Sequence, residues 1–443
     1  MSHKNLQRLP LALAAMVACA SAQAEYTFDD GKLRLSGFGT VGVARTSTDQ
    51  ALFNTPGQGG GADRSASFNP DTKLGLQGSY KLNNTLSATA QVLTKYRANG
   101  DYTPQFEWAF GKWQATPATT LRVGRIGAPY FMVSDFRDVG YANTAVRPPL
   151  DVYGQVPVSS VDGGDLSHQI TVGSATLTGT LWGGQTKAKY ASALRSSGVA
   201  TDPVLVKIRN QVGLNLQAEF DGGYTVRLGH SQGKLTVESA SINTLVSGLA
   251  LVGPGVALQT GSAALGAQAG ALANGAANAV TSSGTKTSFT GLGLSLDRDN
   301  IVLATEYTLR KVDQGTVADT TGWYVLGGYR LGNVLPYAVV SRVKVDQLNG
   351  SINPALQNFS AQAYAGAVTL QNVGKVTQNT LSLGARWDFR SGMALKAQLD
   401  HISKPAGSNG LFLVPDASTA AGQDFFNNKK KVNVLSLALD FVF

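Results

Sequence analysis

Apolar and polar residues alternate along most of this chain. Val212, Leu214, Leu216, Ala218 and Phe220 alternate with Gln211, Gly213, Asn215, Gln217 and Glu219. Leu381, Leu383, Ala385, Trp387 and Phe389 do the same, as do Leu435, Leu437, Leu439, Phe441 and Phe443. A period of two puts one face of a strand in an apolar medium and the other in a polar one. Read this way, strands run over 33–44, 73–82, 86–96, 106–114, 121–126, 166–172, 176–182, 212–220, 224–230, 287–296, 301–310, 323–330, 334–345, 380–389, 394–402 and 432–443. Asn83-Asn84, Gly173-Ser174, Asp221-Gly222-Gly223, Arg298-Asp299, Gly332-Asn333 and Ser391-Gly392 supply tight turns after alternate strands, and long stretches follow the others.

A soluble sandwich would alternate too. The segments, however, are about ten residues long, enough for a tilted strand to cross a bilayer core. Their polar face is rich in Gly, Ser, Thr, Gln and Arg, as a wet lumen requires, and short turns at one end with long loops at the other match a membrane barrel. Aromatics gather near segment ends, at Phe106, Trp108, Phe110 and Trp113, at Trp323, Tyr324 and Tyr329, and at Trp387 and Phe389, where rings suit a lipid–water boundary. The fold class expected is all-β, a transmembrane antiparallel up-and-down β-barrel of about sixteen strands, eighteen being the other count compatible with closure.

The first residues fit this setting. Lys4 and Arg8 precede an apolar run from Leu9 to Ala20 and a small-x-small site at Ala22-Gln23-Ala24. This predicts a signal peptide over 1–24 and a barrel over 25–443. Cys19, the sole cysteine, falls within it, after a poor lipobox. The formal charge is +9; without Lys4 and Arg8, 35 basic residues face 28 acidic ones, or +7. The positive residues are scattered, with Lys429-Lys430-Lys431 the only run, which together with an export signal argues against nucleic acid.

The whole pattern resembles that of Gram-negative outer-membrane porins. The strand VLSLALDFVF carries the resemblance most strongly. In that family such an end is read by the barrel assembly machinery, which implies Phe441 and Phe443 as the assembly signal. Arg137 to Pro157, RDVGYANTAVRPPLDVYGQVP, resembles the third loop of a group of proteobacterial porin-like proteins, while the PEFGG-type motif of enterobacterial general porins is absent. The resemblance further implies the bacterial outer membrane as location, a lipid and lipopolysaccharide surround, a homotrimer, and no cofactor.

The third long loop, 127–165, carries Asp135, Arg137, Asp138, Arg147, Asp151, Asp162 and Asp165 among many aromatics. The family folds this loop inward, so it is expected in the lumen. The strand phases place Arg34, Arg122, Arg227, Arg310, Arg342, Lys344, Arg386 and Lys396 on the polar face, with Arg125 breaking the alternation at a suspected bulge. A basic wall facing an acidic loop sets up a transverse field in a channel. The Ala- and Gly-rich segment 236–285 reads as a long outer loop with a helix around Ala263 to Ala279; Gly253-Pro254-Gly255 argues against a membrane helix.

One motif points elsewhere. Gly229-His230-Ser231-Gln232-Gly233 matches the G-x-S-x-G nucleophile elbow, which needs strand, sharp turn and helix together with an acid and a later His. No α/β alternation surrounds it, and Ser231 is expected at a strand end. His168, His230 and His401 are too scattered for a metal site. The expected function is passive diffusion of small hydrophilic solutes and ions, with a weak anion preference and no enzymatic chemistry. A substrate-specific channel with a saturable lumen site is the alternative, and a barrel hydrolase using Ser231 the remote one.

Overall fold

The computed structural model describes residues 26–191, 203–414 and 416–443; the expected signal peptide lies outside them. Sixteen antiparallel strands form a closed ring: β2 (Leu33–Thr46), β3 (Lys73–Lys81), β4 (Leu86–Lys95), β5 (Gln105–Thr116), β6 (Thr119–Gly127), β7 (Ser160–Val172), β8 (Ala175–Tyr190), β9 (Val204–Phe220), β10 (Tyr224–Glu238), β11 (Thr285–Arg298), β12 (Ile301–Val312), β13 (Gly315–Tyr329), β14 (Val334–Asn349), β15 (Gln378–Arg390), β16 (Met393–Lys404) and β17 (Lys430–Val442). Closure comes from β17 on β2, with Leu435 opposite Arg45 and Phe441 opposite Gly39. A short β1 (Tyr26–Phe28) pairs with Leu33–Leu35 of β2, continuing that edge beyond the end of β17. Every ladder is thus satisfied within the chain, as a hydrocarbon surround demands.

The alternation sorts cleanly. Leu76, Trp113, Leu166, Leu181, Leu214, Leu228, Leu292, Tyr307, Val340, Leu383, Leu399 and Leu437 are exposed on the outer face. Tyr80, Trp113, Phe220, Tyr224, Tyr329 and Trp387 are exposed near the tight-turn ends, forming one aromatic girdle. Trp108, Phe110 and Tyr324, expected in that girdle, point inward instead; Tyr324 is buried and reaches Glu306. Phe441 and Phe443 stack at 6.1 Å. Their rings fill the space beside Gly39 and Gly37, where any added Cβ would lie within 2.4 Å of a ring atom. Glycine leaves room for an aromatic on the neighbouring strand to cover the gap, so the closing seam is tight.

Two apolar clusters sit at the outer end. One joins the first and last outer loops through Ala51, Phe53, Phe412, Val414 and Phe425. The other is helical. The segment after β10 folds into α-helices Ala240–Ala250, Val252–Thr260 and Ala263–Val280, which pack with Ala361–Asn372 around Leu249, Ala273, Ala276 and Leu370. Residues 240–260 are long and apolar enough for a membrane span. The chain nevertheless folds back, and Gly253 lies so close to Gly266 and Gly270 that a Cβ there would meet their backbones at 2.9 Å. The sequence indicates one helix and the structure has three, because Ala runs carry helix propensity even without an amphipathic period.

Candidate functional site: a pinned loop and a charged passage

Between β6 and β7 the chain runs from Ala128 to Ser159 inside the barrel. The expected loop extended to 165, but β7 begins at Ser160; Gly163-Gly164 interrupts the apolar alternation there and hides the strand start. Asp162 and Asp165 are therefore strand residues, bound to Arg125 at 2.6 Å and Arg122 at 2.5 Å. The bulge suspected at Arg125 is absent: the register runs unbroken from Arg122 to Arg125 against both β5 and β7, although Gly124 has a φ of +133°.

The loop is fastened to the wall formed by β10–β17. Arg227 donates to the Pro129 carbonyl at 2.5 Å. Glu306 accepts from the Met132 amide at 2.9 Å, from the Tyr324 hydroxyl at 3.1 Å and from the Tyr153 hydroxyl. Arg386 donates to the carbonyls of Tyr141 (2.7 Å) and Asn143 (3.1 Å), with its guanidinium 4.7 Å from the Tyr141 ring centre. Lys396, fully buried, donates to Gly140, Asn143 and Ala145 carbonyls and pairs with Asp440 at 2.9 Å. Arg310 donates to the Gln155 carbonyl at 2.7 Å, and Ser341 donates to Asp151 at 2.5 Å.

Arg147 reverses the direction: a loop cation enters the wall. It donates to Asp71 at 2.6 and 2.8 Å, to Asp400 at 3.2 Å and to Ser436 at 2.7 Å, and lies 4.9 Å from the Phe53 ring centre. Phe131, Tyr130 and Tyr153 complete the seal against Trp182, Phe289 and Tyr324. Burial pushes the Asp151 carboxyl above its ordinary value.

On the opposite side the loop leaves a cavity of about 400 Å³ facing β3–β8. Asp138 reaches across it to Lys95 at 2.9 Å and Lys73 at 3.6 Å. Burial raises this carboxyl, but Lys95, Lys73 and Arg137 overcome that and hold it well below the usual carboxylate range. The cavity lining includes Lys73, Lys95, Arg97, Arg125, Arg137 and Arg147, besides Lys187 and Lys189, against Asp71, Glu107, Asp138 and Asp162. Asp135 is exposed on the same loop.

The expected site residues thus divide. Arg227, Arg310, Arg386 and Lys396 face inward but are consumed in holding the loop. Arg122, paired with Asp165, and Arg34, near the tight-turn end, face inward away from it. Arg137 and Asp138 line the cavity and Asp135 is exposed on the same loop, while Arg147 and Asp151 are anchors. Arg342 and Lys344 are corrections. Both are exposed on the outer face with Val340, while Leu335, Tyr337, Val339 and Val343 turn inward and are buried. The inner face of β14 is apolar because it packs near the loop, so polarity alone assigns this strand the wrong way round. Lys73, Lys95, Arg97, Glu107, Asp71, Glu306, Asp400 and Asp440 were not expected; Lys73 and Lys95 carry a usable signal, since both fall on the polar phase of their strands.

Ser231 is a further correction. It lies within β10, paired on both sides, buried and inward-facing, because β10 continues to Glu238. His230 points outward and shares a hydrogen bond of 2.8 Å with Thr290. The two side chains stand on opposite faces of one strand, and no elbow turn exists.

No curated protein sequence matches the chain. A family model described as Gram-negative porin matches residues 11–348. Among solved structures, Salmonella typhi OmpF in complex with daunomycin aligns at a TM-score of 0.53 and 14% identity, over 95% of this chain and all of that one. The outer membrane channel DcaP of Acinetobacter baumannii aligns at 0.52 and 10%, over 95% and 100%. At such identities the likeness speaks for the fold, and the family match, covering most of the sequence, makes the closed barrel one of a known kind: this chain belongs to the Gram-negative porins.

Proposed function

We propose that solutes cross this outer-membrane diffusion channel between the 128–159 loop and the wall β3–β8, with the pair formed by Asp138 and Lys95 at the constriction. The carrying observation is the charged cavity on one side of a loop that is fastened on the other. Permeation requires no bond chemistry; the walls select by size and field. With Arg147 and Asp71 committed to the anchor, seven basic residues line the cavity against three acidic ones, which supports a weak anion preference. Screening over about 10 Å at 0.1 M salt weakens such a field, so the preference should be largest in dilute salt. In a salt gradient across a planar bilayer, the Lys73→Gln, Lys95→Gln double variant should shift the reversal potential toward cations. Arg342→Gln, on the outer face, should leave it unchanged. A wild type selective for cations in dilute salt would refute this placement of the passage.

Ser231 is read as a wall residue. Ser231→Ala should retain full conductance, and the folded wild type should resist a fluorophosphonate probe; stoichiometric labelling at Ser231 would revive the hydrolase.

The outer faces of β3–β5 carry small residues, Gly78, Ala88, Ala90 and Gly111. Such a flat face suits contact with another copy, and family resemblance supports three. Light scattering of the folded protein in detergent gives the copy number directly; a single-copy mass would remove the trimer.

A further inference from the structure

Most carboxylates lining the cavity between the loop and β3–β8 are matched. Asp138 holds Lys95 and Lys73, Asp162 holds Arg125, and Asp71 holds Arg147. Glu107 is left over. It is only 6% exposed, and its Oε1 is buried without a hydrogen-bond partner among the described residues. An unpaired buried charge is costly, and the backbone is bent to create this one. Gln91 pairs with Trp108 and Val92 with Phe106, so Glu107 is the extra residue of a bulge in β5. Ala109, Gly111 and Trp113 face outward, and strict alternation would place Glu107 with them. The bulge turns Phe106 out instead, 57% exposed, and Glu107 in. Bulges re-aim side chains in this way beside binding sites.

Two further groups line the same cavity with bonding capacity to spare. Arg137, on the loop, donates to the Pro157 carbonyl at 3.4 Å, a long bond, and has no carboxylate within ion-pair distance among the described residues. Tyr190, at the end of β8, has a buried hydroxyl without a partner among the described residues. Its ring is held in place by the first outer loop. Gly57, at φ of +102°, lies so close that an added Cβ would meet the ring at 2.5 Å, and the Ala191 amide donates to the Gly57 carbonyl at 3.0 Å. The Tyr190 hydroxyl lies in the fields of both Arg137 and Glu107. Arg97, also in the field of Glu107, spends its donors on the carbonyls of Leu93 and Thr103. One anion, one cation and one hydroxyl thus converge on one space, and none of them satisfies the others.

We propose that Glu107, Arg137 and Tyr190 form a saturable subsite for a zwitterionic solute of amino-acid type, with its ammonium on Glu107 and its carboxylate on Arg137 and the Tyr190 hydroxyl. An anion alone would be repelled by Glu107, and a cation alone by Arg137 and Arg97. A neutral solute would leave both charges unmatched. A solute that carries both charges satisfies both at once, and the same two residues reject its singly charged analogues. The inference rests on the reading of this cavity as the solute passage, and ion conductance tests that reading separately.

The experiment records single channels of the folded full chain in a planar bilayer at neutral pH and titrates three solutes of one shape: L-leucine, 4-methylpentanoate, which lacks the ammonium, and leucinamide, which lacks the carboxylate. Leucine should reduce the ion current saturably, and each analogue should need roughly tenfold more for half the effect, the loss expected for one charge-assisted hydrogen bond. Glu107→Gln should weaken leucine by a similar factor and at the same time strengthen 4-methylpentanoate. Arg137→Gln should weaken leucine and strengthen leucinamide. That exchange of preference follows from charge pairing, and a general loosening of the wall would not produce it. Arg342→Gln, on the outer face, should behave as wild type. A conducting wild type on which leucine acts no more strongly than its analogues would overturn the proposal, as would Glu107→Gln and Arg137→Gln channels with the wild-type order of the three solutes. A wild type that conducts no ions would overturn the passage reading and this inference with it.

Discussion

Arg147→Met should release the loop and raise the single-channel current while leaving the barrel assembled. Arg147 is buried and holds Asp71, Asp400 and Ser436 at once. Removing one partner of a buried ion pair costs about 3–5 kcal/mol, chiefly because the remaining charges are stranded. Two carboxylates would be left facing each other between the loop and the β16–β17 wall. The least costly response is for the loop to swing off that wall, admitting water, so the current should rise in size and fluctuate more. The triple variant Arg147→Met, Asp71→Asn, Asp400→Asn removes the stranded charges and should recover most of the wild-type trace, a non-additivity that neighbours in one network display. A drop in current for Arg147→Met, with normal heat-modifiable folding, would mean that the arginine lines the passage instead of anchoring the loop.

This anchoring explains which features could be read from sequence. Leu214, Leu228, Leu292 and Leu399 alternate because one face of each strand meets lipid, and lipid imposes the same demand all around the ring. Strand number, turn placement and the inward side of Arg227, Arg310, Arg386 and Lys396 follow from that single rule. The inner face obeys no such rule. Where β14 packs in the loop's apolar cluster, its inward residues become Leu335, Tyr337, Val339 and Val343, and Arg342 is left outside. The network of Asp71, Arg147 and Asp400 joins residues hundreds of positions apart, and no local spacing marks it. Lysines at 73 and 95 were visible as polar-phase residues, but only the path of the loop gives them Asp138 as a partner.

At the other end of the chain, Phe443→Asp should sharply reduce the amount of folded barrel recovered in outer-membrane fractions. We propose that Phe441 and Phe443 act as the assembly signal, and the closing seam supports that role. Phe443 exchanges backbone hydrogen bonds with Gly37, at 2.6 and 2.9 Å, and its ring fills the space that Gly37 leaves open. An aspartate would put a charge at the lipid face near the girdle, leave Gly37 uncovered and unstack Phe441. A charge on the lipid face costs roughly 0–1 kcal/mol near the interface and more at greater depth, and removing the packed aromatic forgoes up to about 1.5–3 kcal/mol of burial. Phe443→Tyr keeps the ring and should assemble nearly as wild type, whereas Phe443→Leu should fall between. Recognition and seam stability separate in a refolding assay: detergent-refolded Phe443→Asp, with no assembly machinery present, should give more barrel than the same variant in cells. Equal recovery of Phe443→Asp and wild type in the outer membrane would remove the assembly role and leave Phe443 as seam packing alone.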